Sequence, residues 1–245
     1  MSQTALITGA SRGLGRTVAS FLAPQGYDLV ITSRTELELE ASARALRHFG
    51  GQVRALAGDV VVPLHRTRLI RAARDLGGLD LLVNNASTLG AAPLPPLVDY
   101  PLAELDHALS VNVIAPIALV QEALPLLEAS GGLVVNITSD AAIGGHAGWG
   151  GYGATKAALD FASATLAKEL KDRGVGVVSV DPGELQTRML QDAYPGEDIS
   201  NRPLPEATLP FWTWLLGQAR ADVTGRRFEA QADLWEVNGH LPPAP

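Results

Sequence analysis

Short apolar runs rich in β-branched residues alternate along the chain with longer stretches of helical pattern. The runs are almost continuously apolar, which is typical of strands buried on both faces of a parallel sheet. Several of the longer stretches end in glycine, as helices commonly do, for example "FGG" at 49–51. The pattern predicts strands at residues 4–8, 28–33, 52–57, 79–84, 133–138 and 175–180.

This alternation of strands and helices indicates the fold class. Right-handed crossovers between parallel strands place helices on both faces of the sheet. A further short run, "RRFEA" at 226–230, suggests a last strand. We therefore predict an α/β fold, a doubly wound parallel sheet of the Rossmann type with about seven strands, as a single domain over residues 1–245. The predicted helices cover residues 14–24, 35–48, 64–76, 102–128 and 152–173.

Two long loops interrupt the alternation, a proline-rich loop at 90–101 and a polar one at 191–208. Both follow strands, at the edge where open α/β sheets bind ligands. Loops of this length are either ordinary surface connections or lids over a binding site. We predict that residues 188–208 form a lid.

Composition restricts the partners. The chain of 245 residues is 47% hydrophobic, carries a net charge of −7 and has no cysteine. The negative charge argues against nucleic acid or an anionic membrane as a partner. We find no signal sequence at the N-terminus, and no apolar run approaches the roughly 18 residues of a membrane span. We expect a cytoplasmic protein with neither a membrane nor a nucleic-acid partner, and we predict no metal site.

The first strand leads into "TGASRGLG", which places Gly9, Gly13 and Gly15 between a strand and a helix. Glycines there permit a tight turn and let backbone N–H groups approach a pyrophosphate at the helix N-terminus. This arrangement predicts a dinucleotide-binding site. Other strand ends remain ambiguous, because Asp59 in "GDV" and the asparagines in "NNAS" are either turn and capping residues or cofactor contacts.

Tyr152 and Lys156 stand four residues apart in a predicted helix, so they share one helix face. A phenol has a pKa of about 10, and a nearby ammonium favours the phenolate and lowers that pKa. A phenol activated in this way can act as a general acid in carbonyl reduction or as a general base in alcohol oxidation. Ser139 ends the fifth strand thirteen residues before Tyr152.

Taken together, these motifs resemble the short-chain dehydrogenase/reductase family over nearly the whole chain. The family's T-G-x-x-x-G-x-G is intact at 8–15, and its N-N-A-G has Ser87 in place of the glycine. The remaining family positions match Asp59, Asn112, Ser139, Tyr152, Lys156, Pro182, Gly183 and Thr187.

The resemblance implies hydride transfer between a nicotinamide cofactor and a small-molecule carbonyl or alcohol. It implies that Ser139 holds the substrate oxygen, that Lys156 also binds the nicotinamide ribose and that Asn112 holds a relay water. The predicted catalytic residues are Asn112, Ser139, Tyr152 and Lys156. The predicted cofactor-binding residues are Gly9, Ser11, Arg12, Gly13, Leu14, Gly15, Ser33, Arg34, Asp59, Val60, Asn85, Ala86, Tyr152, Lys156, Pro182, Gly183 and Thr187.

The end of the second strand indicates which cofactor is preferred. A free ribose 2′-hydroxyl is usually held there by an acidic side chain. This chain has Ser33 and Arg34 at that place, and Arg12 lies in the glycine turn. Guanidinium groups suit a phosphate, so we predict a preference for NADP(H). The alternative is that Arg34 stacks on adenine and pairs with Glu36 or Glu38, which would leave NAD(H) possible.

The substrate is not defined by any motif. The glycine-rich loop at 141–151 is expected to line the pocket, and its few charges suggest an uncharged carbonyl compound. The predicted pocket residues are Ala141, His146, Trp149 and Glu184.

The C-terminus lacks the family's usual aspartate-glycine-glycine ending, a region that builds one subunit interface in many relatives. We expect a homo-oligomer, a dimer or a tetramer. The dimer face would lie on the helices at 102–128 and 152–173.

Two other functions share some of these motifs. A catalytically silent dinucleotide sensor would have no need for an activated phenol. A sugar-nucleotide epimerase can share Y-x-x-x-K but usually needs a larger C-terminal domain than this chain has room for.

Overall fold

The computed structural model describes residues 2–236 and contains a sheet of seven parallel strands. Two strands have the bounds expected from the sequence, and the others differ by one or two residues at one or both ends. The strands are β1 (Thr4–Thr8), β2 (Asp28–Ser33), β3 (Val53–Ala57), β4 (Leu81–Asn84), β5 (Leu133–Ile137), β6 (Gly176–Asp181) and β7 (Arg227–Glu229).

The strand order is β3-β2-β1-β4-β5-β6-β7, so the fold is the doubly wound α/β fold that the pattern predicted. The chain moves outward from β1 to β3 and then returns to pair β4 with β1. This reversal opens a crevice between the carboxyl ends of β1 and β4, where such sheets bind ligands. At the far edge Asp181 pairs with Glu229, and this pairing extends β6 one residue beyond its predicted end.

Helices cover both faces of the sheet. They are α1 (Gly13–Leu22), α2 (Glu36–Leu46), α3 (Pro63–Asp75), α4 (Leu102–Leu109), α5 (Ala115–Ser130), α6 (Ala141–Gly144), α7 (Gly150–Leu170), α8 (Arg188–Ala193), α9 (Leu209–Leu216) and α10 (Arg220–Val223). Apolar side chains of α1, α2 and α9 pack on one face of the sheet, and those of α3, α5 and α7 pack on the other.

The stretch predicted as one helix over 102–128 contains a wide π-helical turn at Ser110–Ile114, between α4 and α5. Pro116 follows this turn and has no N–H to donate to the carbonyl of Asn112, four residues earlier. Regular α-helical bonding is therefore interrupted at Asn112. Turns of this kind are frequent at functional sites.

By length and composition alone, Leu102–Ser130 could cross a membrane, with a mean hydropathy of 1.5. One such helix is weak evidence for a span, because core helices of soluble proteins have the same properties. Its buried residues Leu119, Ala123 and Leu127 pack in the core beside the sheet.

The predicted last strand at 226–230 is shorter in the structure, where it covers Arg227–Glu229. Its Phe228 packs against Phe211 and Trp214, with ring centroids 5.7 Å and 5.2 Å away, and Trp235 lies 5.5 Å from Phe211. Residues 237–245 of the unusual C-terminal sequence lie outside the described residues.

Candidate active site

The glycine turn joins β1 to α1 and leaves no space for a side chain at Gly15. A Cβ on Gly15 would lie 2.5 Å from the Gly9 carbonyl oxygen and 2.5 Å from Asn85 Nδ2. Gly9 and Gly13 have φ values of +68° and +54°, which L side chains rarely adopt. The turn therefore brings the N-terminus of α1 close to the ends of β1 and β4.

A cavity of about 920 Å³ runs along these strand ends. Its lining includes every residue predicted to bind the cofactor except Gly15, which is packed behind the turn. The predicted catalytic residues Ser139, Tyr152 and Lys156 also line it, whereas Asn112 does not. The four predicted pocket residues, Ala141, His146, Trp149 and Glu184, line it as well.

This lining fits a dinucleotide. The Gly13 end of α1 faces the cavity and, within residues 2–236, has no side-chain capping bond from Arg12, so the first-turn N–H groups suit a pyrophosphate. Arg34 is exposed at the end of β2 and makes no ion pair within residues 2–236, so its guanidinium can meet a phosphate. Among residues 2–236, Arg34 forms no ion pair with Glu36 or Glu38, which was the alternative expectation. Glu38 instead lies 3.7 Å from the guanidinium of Arg12.

Two strand-end residues have structural contacts as well as a place in the cavity lining. Asp59 accepts a hydrogen bond from the backbone of Val61 at 3.0 Å, as a turn residue does. Asn85 donates through Nδ2 to the carbonyls of Thr8 at 2.9 Å and Gly9 at 3.2 Å. Asn85 thereby ties the end of β4 to the glycine turn.

Tyr152, Lys156 and Ser139 meet where α7 crosses the end of β5. Tyr152 and Lys156 are almost fully buried. The ammonium of Lys156 donates to the Ile137 carbonyl at 2.8 Å and stands 5.5 Å from the centroid of the Tyr152 ring. The Ser139 hydroxyl donates to Oδ1 of Asp140 at 2.8 Å.

The electrostatics differ from the sequence expectation. Burial raises the pKa of Tyr152 above its ordinary value, and hydrogen bonds with the Ser87 and Ser139 hydroxyls lower it by less. The net direction is therefore opposite to the lowered pKa expected from the sequence, because burial outweighs the groups that lower it, and an acidifying effect of Lys156 stays a prediction. Burial also lowers the pKa of Lys156 to about 8, although Asp160 and Asp181 oppose this shift. Tyr152 is thus protonated at neutral pH, as a proton donor must be.

Asn112 lies behind the cavity with all its side-chain hydrogen-bonding capacity in use. Oδ1 accepts from Ser87 Oγ at 3.0 Å and from the Thr88 backbone at 2.9 Å. Nδ2 donates to the Thr88 carbonyl and to Thr155 Oγ1, both at 2.9 Å. Its side chain therefore braces β4 against α7. That Asn112 holds a relay water stays a prediction.

Aromatic and aliphatic side chains surround the Tyr152 end of the cavity. Trp149 contacts the rings of Tyr152 and Tyr194, with centroids 5.8 Å and 5.9 Å away. Leu89 and Met189 complete this apolar wall. Of the charged groups at the rim, Glu184 pairs with Arg202 at 2.7 Å.

The sequence prediction missed three residues of this region. Ser87 contacts the phenol of Tyr152, and its replacement of the family glycine was the signal that could have marked it. Arg227 forms an ion pair at 2.9 Å with the buried Asp181, beside Ser139. No motif points to Arg227, because its partners lie 46 to 88 residues away in sequence.

The fold and this cavity define a Rossmann-type protein with a candidate dinucleotide-dependent oxidoreductase site. The chain belongs to the short-chain dehydrogenase/reductase family, since the profile of the short chain dehydrogenase family matches residues 3–198. It is therefore a member of a family of oxidoreductases.

Three similar proteins illustrate the relationship. The chain is 33% identical over 195 residues to a diacetyl reductase [(S)-acetoin forming] of Staphylococcus epidermidis, covering 77% of this chain and 74% of the relative. The structure of the oxidoreductase YciK from Escherichia coli is 31% identical, with a TM-score of 0.86 and coverage of 94% and 95%. A short chain dehydrogenase from Shigella flexneri complexed with NADP is 30% identical, with a TM-score of 0.86 and coverage of 94% and 97%.

Proposed function

We propose that the protein is an NADP(H)-dependent oxidoreductase that interconverts a carbonyl and an alcohol. The observation that carries this proposal is the buried pair Tyr152 and Lys156, beside Ser139, at one end of a cavity that also contains the glycine turn. The NADP complex of the Shigella flexneri relative supports the choice of cofactor.

Residues along the cavity would hold successive parts of the cofactor. The N-terminus of α1 binds the pyrophosphate, Ser33 and Arg34 bind the 2′-phosphate, and Lys156 binds the nicotinamide ribose. When bound, NADPH supplies the hydride. Arg34 lacks an ion-pair partner within the described chain, and this favours NADP over NAD.

Tyr152 holds the proton that the substrate oxygen needs in reduction. Its phenol is protonated at neutral pH, as a general acid requires, and burial raises its pKa further. Ser139 holds the substrate oxygen, for which its hydroxyl must turn away from Asp140. The apolar wall of Trp149, Tyr194 and Leu89 excludes water and suits an uncharged carbonyl compound.

The segment at 188–208 is proposed to close over this site. It begins with α8, contacts Trp149 through Tyr194 and leaves several residues exposed. We further propose that the chain is a single domain that acts as a homo-oligomer in the cytoplasm. The exposed side chains of Ile114 and Phe161, on the helical segments named for the dimer face, support an interface there.

The test is a spectrophotometric assay of NADPH and NADH oxidation with diacetyl, an aromatic aldehyde and an aliphatic ketone. We expect at least one carbonyl to be reduced, faster with NADPH than with NADH. Tyr152→Phe should lower kcat by about 10²–10⁴-fold. Its NADPH affinity, measured by fluorescence, should stay close to the parental value.

Two outcomes would contradict the proposal. Turnover of a confirmed substrate by Tyr152→Phe at the parental rate would exclude Tyr152 as the acid. Tight NADPH binding with no turnover on any carbonyl would favour the silent sensor.

A further inference from the structure

Arg227 extends across the carboxyl ends of the last three strands. It lies on β7, opposite Ser179 of β6. Its Nη2 donates to Oδ2 of Asp181 at 2.9 Å and to the backbone carbonyl of Ser139 at 3.0 Å. Its Nε donates to Oδ2 of Asp160 on α7 at 3.2 Å. One guanidinium thus joins β5, β6, β7 and α7.

These contacts are largely shielded from water. The side chains of Arg227 and Asp160 are each 18% exposed, and that of Asp181 is 6% exposed. The second oxygen of Asp160 is buried and has no hydrogen-bond partner among residues 2–236. Removing Arg227 would take the guanidinium partner from both carboxylates, and losing one partner of a shielded ion pair is costly.

Each group that Arg227 holds is adjacent to the proposed chemistry. The Ser139 carbonyl belongs to the residue whose hydroxyl would hold the substrate oxygen. Asp181 also accepts a bond from the backbone of Gly183 at 2.9 Å, in the loop predicted to contact the cofactor. Asp160 follows Lys156 by one helical turn on the same face of α7.

We propose that Arg227 is a positioning residue that fixes Ser139, the Gly183 loop and the Lys156 face of α7 relative to one another. The proposal rests on the proposed function of the same site. A misplacement of about 1 Å caused by a change away from the chemistry can cost about 10²-fold in rate. Losing Arg227 should therefore act on kcat more than on cofactor affinity, which depends mainly on the phosphate-binding end.

The experiment compares Arg227→Met, Arg227→Lys and the control Arg226→Met. Arg226 precedes Arg227, and its guanidinium donates to the Glu236 carbonyl at 3.4 Å. Lysine keeps the charge but lacks the planar fork that serves three acceptors at once. The measurements are kcat and KM for a carbonyl reduced by the parent, NADPH affinity by fluorescence, and the isotope effect on kcat with NADPH deuterated at C4.

For Arg227→Met we expect kcat to fall about 10- to 100-fold, with NADPH affinity changed less than about threefold. The isotope effect on kcat should rise, because a misplaced serine slows the chemical step. The kcat and isotope effect of Arg227→Lys should lie between those of Arg227→Met and the parent. If Arg227→Met does not fold, Arg227→Lys alone tests the proposal. Arg226→Met should match the parent.

The isotope effect separates positioning from stability. Partial unfolding would lower the number of active molecules and leave the isotope effect unchanged, and that result would overturn the proposal. Parental kcat and isotope effect in Arg227→Lys and Arg227→Met would overturn it as well.

If the parent reduces no carbonyl, the proposed function fails and hydrogen exchange with NADPH alone decides the inference. Faster exchange at 138–141 and 181–184 in Arg227→Met, but not in Arg226→Met, would support it. Equal exchange in the two variants would overturn it.

Discussion

Replacing Lys156 with methionine should change how the stability of the protein depends on pH. Lys156 is 2% exposed, and burial lowers its pKa from the ordinary 10.5 to about 8. At 1.36 kcal/mol per unit, this shift means that the buried ammonium costs about 3 kcal/mol of stability near neutral pH. Methionine of similar length carries no charge and avoids that cost.

The gain at pH 7 is partly offset. The ammonium donates to the Ile137 carbonyl at 2.8 Å, and an unsatisfied buried acceptor costs about 1–3 kcal/mol. We therefore expect Lys156→Met to lie between parental stability and about 2 kcal/mol above it at pH 7. The same change should weaken NADPH binding, because the predicted ribose contact is lost.

The sign of the pH effect follows from the lowered pKa. Between about pH 8 and 10.5, the unfolded chain holds a proton on Lys156 that the folded chain has released. Stability contributed by Lys156 therefore rises with pH through that window. About 2 kcal/mol of this rise should fall between pH 7 and 9.5, in the parent but not in Lys156→Met.

Urea unfolding of the parent, Lys156→Met and Lys168→Met at pH 7, 8 and 9.5 would measure this. Lys168 lies on the same helix and is exposed, so its methionine variant should keep the parental pH dependence. If the free energies of unfolding of the parent and Lys156→Met run parallel over this range, the burial argument for Lys156 is refuted.

Three further predictions concern the cofactor, the phenol and the lid. Arg34→Ala should weaken NADPH binding by roughly 10- to 150-fold and leave NADH binding nearly unchanged in titrations at moderate salt, since a hydrogen bond to a charged group contributes about 1.5–3 kcal/mol. Equal losses for both cofactors would contradict a 2′-phosphate contact. Ser87→Gly removes a hydrogen bond that lowers the pKa of Tyr152, so the pH profile of alcohol oxidation should move to higher pH; an unmoved profile would exclude this contact. Residues 188–208 should gain hydrogen-exchange protection when NADP(H) and substrate bind, and equal protection in both states would count against a lid.

The fold could be predicted from the sequence because the patterns that indicate strands and helices lie within short stretches of the chain. Apolar runs and glycine stops fixed the first six strands to within two residues, and the prediction of helices on both faces was correct. The π turn was missed because its cause, Pro116, acts on a carbonyl four residues earlier without disturbing the apolar pattern.

Within the candidate site, too, the residues that local motifs mark could be predicted, and those that depend on packing could not. Motif residues such as Gly9 and Tyr152 could be found because each stands at a fixed place after a strand or within a helix. The effect of burial on the pKa of Tyr152 could not be predicted, since it depends on how much surrounding structure excludes water. The role of Arg227 could not be predicted either, because its contacts form only when β7 lies beside β6.

The contact between Asn85 and the glycine turn has a consequence for biosynthesis. A ribosome delivers β1, the turn and α1 first, yet the turn receives its two bonds from Asn85 only after β4 has joined β1. A nascent chain that ends before β4 carries the whole glycine motif without the side chain that ties it down. We expect such a chain to have little affinity for the dinucleotide. Binding of the cofactor by a nascent chain would therefore indicate that β4 has already paired with β1.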